Sequence, residues 1–178
     1  MTLYITQKSY FFVIKNFINF FLGPNSEVIY VSEKKRGIFK KYLEIIINFG
    51  IANTVIIGLS EIYYFFRLYF QERLINSTSA SDYNLNEIIE QKLNNKKFKK
   101  IISIGCPCKI NKQLEETYKL EILNLHGGII PYQKGRFSPL KSLKNNHSFL
   151  GATLHYVTES FDEGEILSQR YFEVKNKF

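Results

Sequence analysis

Segments rich in β-formers alternate with segments of helical periodicity along this chain. That alternation selects an α/β fold built on an open, mostly parallel sheet flanked by helices. Residues 3–6 and 27–32 read as short strands. Between them, FFVIKNFINFFL spaces its apolar residues helically until Gly23-Pro24 stops it. Gly37 opens a long helical stretch, a third covers about 56–74, and residues 74–78 predict a short strand. An amphipathic helix follows at 84–93, with Leu85, Ile88, Ile89 and Leu93 on one face. Residues 100–104 form the next strand, ended by Gly105-Cys106-Pro107. Asn111 is placed to cap a short helix containing Leu114 and Tyr118. Residues 121–126 read as a strand, and Gly127-Gly128 with Pro131 impose a loop. Ser138-Pro139 then starts a helix over 140–144. Residues 152–157 and 165–172 predict an antiparallel pair joined by TESFDEG. With no internal repeat and no low-complexity linker, residues 1–178 read as one domain.

A chain of 178 residues suits one core. Hydrophobic residues at 45% and aromatics at 16% are too many for a disordered chain of this charge. The net charge of +8 and the pI near 9.3 favour anionic partners. No nucleic-acid motif accompanies that charge, so nucleic acid is not among the expected partners. Arg67 and the basic run 96–100 read as surface charge. Cys106 and Cys108 are too few for a disulfide framework or a zinc site. They read as reduced, packed thiols, which fits a cytoplasmic protein. The apolar stretch 10–22 carries Lys15, Asn16 and Asn19 and lacks a small-residue cleavage site, so no signal peptide is expected. The uncharged run 45–60 is shorter than the ~20 residues of a spanning helix. Glu44 and Glu61 bracket it and Gly50 and Gly58 interrupt it, so a buried helix is expected rather than membrane contact.

Asn124 and His126 lie two apart on a predicted strand, which puts them on one face. They sit at its carboxyl end, where open α/β sheets bind ligands. Asp162 follows in a loop between two strands, with Gly164 to permit a tight turn. These residue types suit acyl transfer to an amine. An Asn amide donates to the developing oxyanion, His donates or relays protons, and Asp orients the His and helps carry the amine proton. Taken singly, each also fits an ordinary strand-end hydrogen bonder or turn residue. No nucleophile elbow, Walker loop or paired metal-ligand motif competes, so no metal is expected.

The stretches NLHGGIIPYQKGRFSPLKSL and GATLHYVTESFDEGEIL resemble the catalytic core of the folate-dependent formyltransferases. The pattern is carried by Asn124, His126, Pro131, Gly135, Gly151, Thr153, Asp162 and Gly164. The resemblance implies a Rossmann-like fold, N10-formyltetrahydrofolate as formyl donor, and catalytic roles for Asn124, His126 and Asp162. It implies donor contacts at Gly105, Cys106, Pro107, Cys108, Ile110, Thr158 and Phe161, with simple packing the alternative for the cysteines. Lys134 and Arg136 lie beside the acceptor side, as phosphate contacts or as a solvated loop. The family often has Pro or Ala and then Ser after the His. Gly127-Gly128 replaces them here, which removes side-chain hydrogen bonding and is expected to widen the acceptor side. The short tail after Asp162 argues against a tRNA acceptor. The segment Thr6-Gln7-Lys8-Ser9-Tyr10 lacks the Gly-rich phosphate loop of the glycinamide ribonucleotide enzymes. By elimination the expected acceptor is a small-molecule amine on an amino sugar, free or nucleotide-linked. Alternatives are a formyltetrahydrofolate hydrolase, or a non-catalytic paralogue binding folate or a partner through the aromatic stretch 62–70; a homodimer is compatible with each.

Overall fold

The computed structural model describes residues 1–7, 26–32, 77–81 and 83–174, together with positions 43, 46, 47, 50, 51, 52, 55 and 59. In chain order the elements are β1 (Thr2–Gln7), β2 (Ser26–Ser32), β3 (Ser77–Ser81), α1 (Leu85–Asn95) and β4 (Lys100–Ile104). They continue with α2 (Gln113–Tyr118), β5 (Glu121–His126), α3 (Ser138–Lys144), β6 (Phe149–Tyr156) and β7 (Ile166–Glu173). The strands form one seven-stranded sheet in the order β3-β2-β1-β4-β5-β6-β7. The first five are parallel, and β6 and β7 are antiparallel to their neighbours. This is the expected Rossmann-like sheet with a C-terminal antiparallel pair.

One sheet face explains both the core and the site. Leu3 and Ile5 of β1, Ile29 and Val31 of β2, Ile101 of β4 and Ile122 of β5 belong to a single buried cluster. Leu85, Ile89 and Leu93, spaced by four on α1, close over it. Along β4 and β5 the same face turns polar towards the carboxyl ends: Ile101 gives way to Ser103, and Ile122 to Asn124 and His126. The helix thus covers the apolar part of the face, and the polar part lies beyond it.

Glu27 pins α1 to the sheet. It is buried at the start of β2, where Lys92 Nζ reaches it at 2.6 Å and Lys96, one turn on, also reaches it. Asn111 Oδ1 accepts from the Gln113 N–H at 3.0 Å and so caps α2, as its position predicts.

Two expectations need correction. The third strand lies at Ser77–Ser81 rather than 74–78, because its place is set by parallel pairing with Val28 to Ser32. The run 45–60, expected to be buried, is helical at its described positions but exposed there: Ile47 and Ile51 are each 71% accessible. Those positions recur at steps of four and share one outward face, and a run without charges does not reveal which face packs. The helical stretch expected at 11–22 lies outside the described residues. Among the described residues no helix is long and apolar enough to cross a membrane.

Burial alone raises the Glu27 carboxyl, but hydrogen bonds and positive charge from Lys92 and Lys96 outweigh it and hold it below its usual 4.5. A depressed carboxyl stabilises the fold above its unfolded value and loses that contribution as pH falls through the folded one. Glu27→Gln is therefore expected to lower stability by about 1–3 kcal/mol at neutral pH. The deficit should shrink as pH falls below 4.5. Urea unfolding at pH 7 and near pH 3 checks this; an equal deficit at both would show that the carboxylate charge is not what matters.

Candidate active site

The antiparallel junction of β5 and β6 assembles the site. Its register pairs Asn124 with His155 and His126 with Thr153. Directly paired residues point to the same face, so four polar side chains converge at the carboxyl end of β5. The loop between β6 and β7 then brings Asp162 over them.

His126 is buried and held at both ring nitrogens. Nε2 lies 2.6 Å from the Gln133 carbonyl oxygen and 3.2 Å from Ser138 Oγ. Nδ1 lies 3.3 Å from Asp162 Oδ1. A carbonyl only accepts, so Nε2 carries a proton. Nδ1 faces the Asp162 carboxylate. Asp162 is buried with a left-handed backbone, φ 55°. Asp tolerates that region better than most side chains, and such conformations cluster at functional sites. The Gly135 N–H donates to Asp162 Oδ2 at 2.8 Å, leaving Oδ1 for the histidines.

Asn124 Nδ2 lies 3.0 Å from His155 Nε2, and His155 Nδ1 lies 2.8 Å from the Tyr156 carbonyl oxygen. His155 Nε2 is 3.8 Å from Asp162 Oδ1. His155 is absent from the expected site residues, although the period of two from Thr153 marked it. Gly164 lets the chain close over this corner: a Cβ there would fall 1.7 Å from the Tyr156 carbonyl oxygen.

An open cleft of about 440 Å³, solvent space included, runs from these residues along the ends of β4 and β6. Asn124, Asp162, Cys106, Cys108, Ile110, Thr158 and Phe161 line it, and His126 does not. Ser103, Lys109, His155, Val157 and Ser160 join them. Gly105 and Pro107 are not in the lining; Gly105, with φ 58°, makes the turn that presents the cysteines. Lys109 donates to the Glu159 carbonyl oxygen at 2.8 Å and stands 5.3 Å from the Phe161 ring centre, bridging the two walls. Lys134 and Arg136 are also outside the lining. Lys134 pairs with Glu163 at 3.0 Å and holds that carboxyl below its usual range, and the Arg136 guanidinium packs over the Phe137 ring.

The Gly127-Gly128 loop does not leave a gap. A Cβ at Gly128 would lie 2.4 Å from the Gln133 carbonyl oxygen and 2.8 Å from both His126 Nε2 and Ser138 Oγ. The space of a residue-128 side chain is already taken by the groups that hold His126. Ser138 Oγ donates to the Gly127 carbonyl at 2.8 Å and turns a lone pair to the ring. Gln133 braces the loop from inside, its Oε1 accepting from the Ile129 N–H at 3.0 Å. Neither Ser138 nor Gln133 carries a motif signal.

Comparison with known proteins fits this geometry. The chain is 28% identical over 157 residues to the trifunctional purine biosynthetic protein adenosine-3 of Chironomus tentans, covering 83% of this chain. It spans only 9% of that relative's length. Its fold matches a phosphoribosylglycinamide formyltransferase from Anaplasma phagocytophilum with TM-score 0.62 at 17% identity, over all of this chain and 74% of the other. A sugar N-formyltransferase from a Shewanella species matches with TM-score 0.54 at 17% identity, over 98% of this chain and 58% of the other. The formyl transferase family model matches residues 68–177, which hold β3 to β7 and every site residue described above, and the chain belongs to that family.

Proposed function

We propose that this chain transfers a formyl group from N10-formyltetrahydrofolate to a primary amine, at the cleft lined by Asn124 and Asp162, with His126 buried against Asp162. The observation that carries this reading is the buried His126–Asp162 pair, 3.3 Å apart, beside an Asn amide held at the cleft wall. The cleft also fits the donor. Ile110, Val157 and Phe161 offer apolar surface to a flat ring system, and Ser103, Thr158 and Ser160 offer polar edges. Lys109 places positive charge near an anionic tail.

The amine nitrogen attacks the formyl carbon, a C–N bond forms, and the bond from that carbon to N10 breaks. Negative charge grows on the formyl oxygen meanwhile. Asn124 supplies an N–H to it, a donor typically worth about 2.7–4 kcal/mol. His126 lies against the Asp162 carboxylate and orients it. Asp162 Oδ1 carries the proton from the attacking amine towards departing N10, while the Gly135 N–H fixes the other carboxylate oxygen. One proton leaves the acceptor and one arrives on the donor, so the step balances.

The acceptor is proposed to be an amino sugar, free or nucleotide-linked. Its support is the absence of glycine from Thr6-Gln7-Lys8-Ser9-Tyr10, together with the sugar N-formyltransferase among the fold matches. The names of the purine-biosynthetic relative and the phosphoribosylglycinamide enzyme favour glycinamide ribonucleotide instead. A panel holding both acceptor classes with N10-formyltetrahydrofolate decides between them, and a water control reports hydrolysis. Formylation of an amino sugar alone is the expected outcome; turnover of the ribonucleotide alone overturns the sugar assignment. Consumption of donor without any amine overturns transfer.

His126→Ala is expected to lower the rate by about a hundredfold or more. An unchanged rate would remove His126 from the site. Gly128→Ser is expected to lower kcat by at least about tenfold, because its Cβ displaces the Gln133 carbonyl or the His126 ring. A Gly128→Ser enzyme with wild-type kcat would show that the loop accommodates a side chain without disturbing the ring.

A further inference from the structure

We propose that His155 is a positioning residue that sets which end of the Asn124 amide faces the cleft. The Tyr156 carbonyl can only accept, so the 2.8 Å contact requires a proton on His155 Nδ1. In the neutral ring Nε2 then has no proton and is an acceptor. The atom of Asn124 that lies 3.0 Å from it must therefore be the donor, Nδ2, and not Oδ1.

One N–H of Asn124 Nδ2 is committed to His155. The second belongs to the same planar amide and stays free for a group in the cleft, which Asn124 lines. Without His155 the amide can turn by half a revolution. Oδ1 would then face a formyl oxygen gaining negative charge and would repel it. The Tyr156 carbonyl thus fixes the His155 tautomer, and the tautomer fixes the Asn124 amide. His155 is only 2% exposed, so water does not substitute for it. Gly164 keeps the Tyr156 carbonyl in place, since no side chain fits against it there. Asp162 Oδ1 is the one charged group facing Nε2 among the described residues, at 3.8 Å, beyond hydrogen-bond reach.

This inference rests on the formyl-transfer reading for its effect on rate, but not for the hydrogen bond itself. Ring-nitrogen NMR of the full chain near pH 8, with the three histidines assigned by substitution, reads the tautomer without any acceptor. The expected result is a proton on Nδ1 of His155 and none on Nε2; the opposite tautomer overturns the proposal. With the acceptor found in the panel, His155→Leu is expected to lower kcat by about tenfold or more, with KM for the donor within about twofold. His155→Gln, whose Oε1 can accept from Asn124, is expected to recover most of the rate at similar thermal stability. In an Asn124→Ala background, His155→Leu should have no further effect. Equal losses in both backgrounds, or a Gln variant as slow as the Leu variant, overturn the proposal while leaving formyl transfer standing. A wild-type rate for Asn124→Ala would instead remove the site reading and this proposal with it.

Discussion

The pairing of β5 with β6 is the constraint on which the site depends. These strands run antiparallel in a sheet that is otherwise parallel up to that edge. A parallel neighbour would need a crossover and would bring a different strand end beside His126. The antiparallel return instead sets Thr153 and His155 directly opposite His126 and Asn124. A slip of one residue would turn all of the β6 groups to the other face. Thr153 helps hold the register: its Oγ1 donates to the Gly128 carbonyl at 2.7 Å and accepts from the Ile130 N–H at 3.2 Å. The loop that shapes the site is therefore tied to the strand that furnishes its second row of side chains.

Around that junction, His126, His155 and Asp162 each have a contact that ends on main chain. His126 Nε2 meets the Gln133 carbonyl, His155 Nδ1 meets the Tyr156 carbonyl, and Asp162 Oδ2 meets the Gly135 N–H. Backbone groups reposition far less than side chains do, so the ring tautomers and the carboxylate orientation are preset before substrates arrive. Such preorganisation is what gives hydrogen bonds to developing charge their catalytic weight.

The sheet was legible in the sequence because its strands have clear apolar patterns and firm stops. β4 and β5 stand where the β-formers end at Gly105 and at Gly127. β3 was the least legible. Its sequence, STSAS, has no apolar alternation, and it is a strand because β2 offers it a parallel edge. At the site, Asn124, His126 and Asp162 were readable because their types and spacing form a pattern. Cys106, Cys108 and Ile110 line the cleft because they follow a strand end. Gln133 and Ser138 were not readable, since they act through one carbonyl and one hydroxyl whose partners are set by tertiary packing. His155 stood between these cases: its face followed from Thr153, but its contact with Asn124 required the register of two strands.

The Gly-Gly loop shows how a departure from a family pattern is absorbed. Where the related pattern has a hydroxyl side chain directly after the histidine's neighbour, this chain has Gly128 and brings a hydroxyl from Ser138, the first residue of α3. The two arrangements exclude each other, because a Cβ at 128 would stand 2.8 Å from Ser138 Oγ. Here the hydroxyl against Nε2 belongs to a helix whose position follows the loop of Lys134, Gly135 and Arg136. That same loop supplies the Gly135 N–H to Asp162. The imidazole and the carboxylate are thus held by one segment, 133–138, and any movement of that segment shifts both groups together.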